Sequence, residues 1–78
     1  QQQLLSMKNA LLAGRRDYAE LCEQASLQLK QQGWQVDYVE IRRQHALTLP
    51  DAQTRDWVIL AAARLGKTRL IDNCEVSM

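Results

Sequence analysis

Seventy-eight residues, 46% of them hydrophobic and 24% charged, suit one ordinary globular domain and leave no room for two cores. A formal net charge of +1 speaks against a nucleic-acid module, and no apolar run approaches the roughly 18 residues a membrane span needs. The chain opens Q-Q-Q-L-L without an initiator Met, so it reads as a fragment of a larger product, with residues 1–78 forming a single domain. Cys22 and Cys74 lie far apart and form no C-x-x-C motif. A reduced, cytoplasmic thiol pair fits this arrangement, with a long-range disulfide as the alternative.

From the amino end, Leu4, Leu5, Lys8, Leu11 and Leu12 fall on one helical stripe with Met7 beside it. The spacing predicts an amphipathic helix over Gln3 to Ala13 that Gly14 ends in a left-handed cap. Asp17 is placed as the N-cap of a second helix, with Glu20 three residues on as a capping-box partner. Tyr18, Leu21, Cys22, Ala25 and Leu29 recur on one face of that helix, Lys30 sits in its last turn, and Gly33 stops it. Leu27 is the apolar residue off the stripe.

Trp34 to Arg43 changes period. Val39 and Ile41 point one way, and Tyr38, Glu40 and Arg42 the other, as in a half-buried strand. Pro50 interrupts the stretch from Gln44 to Arg55, which reads as a loop with room for one helical turn. Trp57 to Arg64 is a short apolar run of strand length, and Leu70, Ile71 and Val76 carry β-favouring bulk. A β-hairpin joins them, with Gly66-Lys67 at its tip and Gly first, as a type II′ turn wants. That register sets Arg64 opposite Arg69, a repelling like-charge pair, and so leaves the register open. The fold class is α+β: two N-terminal helices packed on a three-stranded antiparallel sheet that ends in a hairpin.

Ala61 to Thr68 reads A-A-A-R-L-G-K-T and resembles a phosphate loop with Ala at the first Gly position. A phosphate loop enters a helix whose N-terminus faces the anion, whereas the residues after Thr68 have strand character. Lys67 and Thr68 therefore read as polar turn residues, with a small nucleotide-binding or interaction module as the alternative function. An RNA-binding sheet would need aromatic platforms, and only Tyr18, Tyr38, Trp34 and Trp57 are available. His45 is the single histidine and has no ligand set around it, so no metal site and no catalytic base follow from it. Arg42, Arg43, Arg64, Lys67 and Arg69 read as a solvated rim softened by Glu40 and Asp72, with a cationic cluster at one end of the sheet as the functional alternative. Asp72-Asn73 in mid-strand points to a bulge or to a buried hydrogen-bonding role.

The string A-x-x-L-G-x-x-R-L-I-D-N, from Ala62 to Asn73, resembles the carboxy-terminal domain of the pantothenate synthetases, the pantoate–β-alanine ligases. D-Y-V-E-I from Asp37 to Ile41 and the Gly14-Arg15-Arg16-Asp17 helix junction are similar too. One departure is Arg43, where the family commonly has Asp. The resemblance implies part of an enzyme that condenses pantoate with β-alanine using ATP and Mg²⁺ through a pantoyl-adenylate. In such enzymes an N-terminal domain, absent from this chain, holds the nucleotide and pantoate, the carboxy-terminal domain is a hinged lid, and the parent is a homodimer. It further implies that this fragment carries no catalytic residue and binds no cofactor by itself. Lys67 and Arg69 are the residues placed to touch substrate on closure. Leu65, Gly66, Leu70, Ile71, Asp72 and Asn73 form the structural motif, with Asp72 and Asn73 expected to hold the sheet together.

Overall fold

Two helices precede three strands: α1 (Gln2–Leu12), α2 (Tyr18–Gln31), β1 (Gln35–Arg43), β2 (Asp56–Leu65) and β3 (Thr68–Ser77). The strands form one antiparallel sheet in the order β1-β2-β3. This computed structural model describes residues 2–78; Gln1 of the glutamine tract lies outside the described residues.

Both helices stop where a glycine takes a positive φ. Gly14 has φ 102° and Gly33 φ 94°. At each, the N–H of the following residue reaches back to close the last turn: Arg15 to the Ala10 carbonyl at 3.0 Å, and Trp34 to the Leu29 carbonyl at 3.0 Å. With Gly14 bonded to Leu11 and Gly33 to Lys30, both ends are Schellman motifs, which satisfy carbonyls the helix leaves orphaned.

The start of α2 departs from expectation. Asp17 is the N-cap residue, but its side chain makes no capping hydrogen bond, so there is no capping box with Glu20. Its carboxylate instead forms a two-pronged ion pair with Arg15, which donates Nε–H to Oδ1 at 3.1 Å and an Nη2–H to Oδ2. The guanidinium out-competes the helix's own N–H groups because a charged donor makes the stronger bond.

The helices cover one face of the sheet. Leu4, Met7 and Leu11 from α1 and Leu21 and Ala25 from α2 pack with Ile41, Trp57, Ile59, Ala61 and Val76. The apolar stripe of α1 is narrower than its leucine spacing predicts: Leu5 and Leu12 are exposed, and Met7 takes the central place. Leu27, off the α2 stripe, is exposed too. Each large side chain fully buried here contributes roughly 1.5–3 kcal/mol, and Leu11, Trp57 and Ile59 are all at 0% exposure.

One corner ties α1, α2, β2 and β3 together. Trp57 donates its indole N–H to Tyr18 Oη at 3.2 Å, and Tyr18 donates its hydroxyl to the Asp51 carbonyl at 2.6 Å. Arg16 lies over the same indole, 4.7 Å from the ring centroid, and donates to the Leu11 carbonyl at 3.1 Å. Gln44 then donates its side-chain amide to the carbonyls of Trp57 and Val76, joining the loop to β2 and β3. The loop after Pro50 is held by Asp51 and Thr54: Thr54 is buried, its hydroxyl donates to Asp51 Oδ1, and it accepts the Asp51 N–H.

The strand ladder settles the register. Arg64 does stand opposite Arg69, and Leu65 opposite Thr68, leaving Gly66-Lys67 as a two-residue loop. Gly66 has φ 58° and Lys67 has no positive φ, the combination of a type II′ turn. The like-charge cost is relieved from the neighbouring strand. A register shift between Val36 and Tyr38 leaves Asp37 unpaired in the ladder, and its carboxylate accepts from Arg64 at 3.2 Å. A bulge re-aims one side chain in this way. No shift occurs at Asp72-Asn73, which pair in register with Ala61 and Leu60, so the bulge reading of that pair is corrected.

Candidate functional site

The hairpin end of the sheet presents the residues singled out by the A-x-x-L-G-x-x-R-L-I-D-N string. Lys67 occupies the turn itself and Arg69 the second residue of β3; both are exposed. Among the described residues neither makes an ion pair. Arg64 is the compensated member of the group, through Asp37. Two cations without an ion-pair partner among the described residues thus project at the tip of the ribbon. Chemically, such a pair suits charge-assisted hydrogen bonds to a carboxylate or phosphate supplied by something docked against it.

Arg42 and Arg43 do not join them. In the ladder they stand opposite Val58 and Trp57, whereas Arg64 and Arg69 stand at the far end beside Gln35. Seven residues of extended chain separate the two ends, a span of roughly 23 Å at about 3.3 Å per residue. The candidate five-member cationic cluster therefore divides into two groups at opposite ends of the sheet. Antiparallel pairing dictates this, because the exit of β1 lies beside the entry of β2 and away from the hairpin. Arg42 is also neutralised locally by Glu40 at 2.9 Å.

The remaining motif residues have readable local roles. Leu65 lies against the turn after α2, its Cδ1 3.4 Å from where a Cβ on Gly33 would stand. Gly66 supplies the positive φ of the turn. Leu70 stands opposite Ala63 and is partly buried, while Ile71 stands opposite Ala62 on the other face and is 64% exposed. Asp72 is half-buried on the helix side, opposite Ala61, and its Oδ1 accepts the Asn73 N–H at 2.8 Å. Asn73 is exposed on the opposite face.

Ala61 to Leu65 lies within β2 and Thr68 begins β3, so the A-A-A-R-L-G-K-T segment is a strand, a tight turn and a strand. It offers no helix N-terminus to a phosphate. Among the described residues no three His, Cys, Asp or Glu side chains gather where they would hold a metal ion. His45 is exposed in the β1–β2 loop. Cys22 and Cys74 are free thiols, and burial raises the Cys22 pKa above its ordinary value. No helix is long and apolar enough to cross a membrane, among the described residues.

Sequence reasoning missed Arg16, Asp37 and the Tyr18–Asp51–Thr54 set. Asp37 is the one with a signal to find: Val36 and Val39 stand three apart where strict alternation wants two, the extra residue that a bulge inserts.

The architecture defines a class: an α+β module of two helices on an antiparallel three-stranded meander, with a cationic hairpin tip. The profile of pantoate-beta-alanine ligase matches residues 1–75. The pantothenate synthetase of Laribacter hongkongensis is 50% identical over 74 residues, covering 95% of this chain and 27% of that protein. Those of Chromobacterium violaceum and Methylococcus capsulatus are 51% and 52% identical, covering 94% and 88% of this chain. The chain belongs to the pantoate–β-alanine ligase family. It spans about a quarter of the length of these relatives.

Proposed function

We propose that the chain is the C-terminal lid domain of a pantothenate synthetase, a ligase that joins pantoate to β-alanine at the expense of ATP in the cytoplasm. The observation that carries this reading is the pattern of coverage: nearly the whole chain matches, yet it accounts for only 27% of its relative. A module of this kind contributes to a site housed mainly elsewhere in the polypeptide, here an N-terminal domain holding Mg²⁺–ATP and pantoate, in a homodimeric parent. Closure over a pantoyl-adenylate excludes water, which protects the acyl phosphate until the amine attacks. In this reading Lys67 and Arg69 are the residues of the lid that meet anionic groups of the bound reactants, and Asp72 and Asn73 keep the sheet in register beneath them.

The test is an assay of the 78-residue chain with ATP, Mg²⁺, pantoate and β-alanine beside the full-length ligase. The expected outcome is AMP release by the full-length enzyme and none by the chain alone. Turnover by the chain alone would overturn the lid assignment.

A further inference from the structure

The helices cover one face of the sheet; the composition of the other face is the unexplained feature. A sheet with one solvated side alternates apolar and polar residues along its strands. β2 instead runs Trp57-Val58-Ile59-Leu60-Ala61-Ala62-Ala63 without a polar residue, the pattern of a strand covered on both sides. The ladder shows what this places on the open face. One row is Tyr38–Ala62–Ile71, and the next is Glu40–Leu60–Asn73. Tyr38 is 43% and Ile71 64% exposed, with Ala62 sunk between them at 1%. The alanine makes a shallow trough with an aromatic wall and an aliphatic wall. Charged residues flank this row on both sides: Glu40 in the next row toward the strand exits, with Arg42 and Glu75 beyond it, and Arg64, paired with Asp37, beside the unpaired Arg69 toward the hairpin.

We propose that this open face is the surface on which the rest of the ligase polypeptide seats when the lid closes, with the Tyr38–Ala62–Ile71 trough at its centre. The inference rests on the lid reading and adds to it which side of the domain faces inward. Two observations choose this occupant. The relatives are nearly four times as long as the matched segment, so most of their chain lies outside this fold and has a surface to offer. The free cation Arg69 sits at the rim of the trough, where a docked surface bearing phosphate or carboxylate groups would meet it.

The experiment uses full-length ligase carrying Asn73→Cys or, separately, Ile71→Cys, both at exposed positions of this face. Maleimide modification of each introduced thiol is followed by fragment-ion mass, which separates it from the native Cys74 in the same peptide, in native enzyme with ATP and pantoate and in urea-unfolded enzyme as its own reference. The expected result is native labelling at least tenfold slower than the unfolded rate at both positions, independent of protein concentration. Labelling within twofold of the unfolded rate overturns the inference. Slowing that grows with protein concentration also overturns it, because a second copy is then the occupant. In either case the lid reading stands or falls by the AMP assay alone, since a lid closing by its helical side would leave that assay unchanged.

Discussion

The indole N–H of Trp57 donates to Tyr18 Oη at 3.2 Å, and that one hydrogen bond links the central strand to the first turn of α2. Tyr18 donates its own O–H to the Asp51 carbonyl, so a single hydroxyl satisfies a donor on the sheet and an acceptor in the loop. Trp57 is fully buried, which makes the arrangement sensitive to deletion. Tyr18→Phe removes both bonds and strands the indole N–H, at a cost of about 1–3 kcal/mol. Urea unfolding of the domain measures it. Combined with Trp57→Phe in a double-mutant cycle, the two losses should be less than additive; full additivity would show that the bond contributes nothing.

The hairpin turn gives a second prediction. Nothing lies within 4 Å of a Cβ built on Gly66, so replacing it tests backbone strain without any clash. At φ 58° an L-alanine pays the left-handed cost, and Gly66→Ala should destabilise by about 1 kcal/mol. A synthetic chain with D-alanine at position 66 should match or exceed the glycine parent, because the D residue prefers that φ. Equal losses for the two enantiomers would place the cause elsewhere.

Electrostatic relief from the bulge gives a third. Asp37→Asn leaves Arg64 facing Arg69 without its carboxylate, at a cost of about 0.5 kcal/mol in low salt. The pair is exposed, so the cost should shrink toward zero near 1 M salt, where screening acts within about 3 Å. Thermal unfolding at two ionic strengths decides it: a salt-independent loss would point to the bulge geometry rather than the charge.

Acid sensitivity follows from Asp51. The Gln53 N–H and the Thr54 hydroxyl bond its carboxylate and hold its pKa below the usual 3.8. A carboxyl lowered in the folded state adds stability above its unfolded pKa and loses it as pH falls through the folded value. The unfolding midpoint should therefore drop as pH is taken below about 4, and Asp51→Asn should flatten part of that drop. An unchanged acid limb in Asp51→Asn would remove Asp51 from the linkage.

For the ligase itself, Arg69→Ala in the full-length enzyme should lower kcat/KM about tenfold, the equivalent of ~1.4 kcal/mol, without changing the Tm by more than a few degrees. Arg69 makes no ion pair within the described residues, so lost activity would not come from a lost internal contact. Unchanged kcat and KM would take it out of the site.

Local chemistry alone determined where the helices end, which stretches extend, and where the ribbon reverses. Gly14, Gly33 and Gly66 each mark a positive φ, and no neighbour is needed to make that so. The hairpin string also carried the family, because its turn and strand residues are consecutive. Only the packed structure decided matters that depend on a second element. Asp17 is a fine cap in isolation, but Arg15 lies closer to its carboxylate. Met7, with Leu4 and Leu11, faces the core while Leu5 and Leu12 stay exposed, a choice made by the elements packed against α1. The disfavoured Arg64–Arg69 pairing stands because Asp37 reaches across from β1, and Arg42 and Arg43 are carried to the far end by antiparallel geometry. Partners distant in sequence set these outcomes, and a one-dimensional pattern does not record who they are.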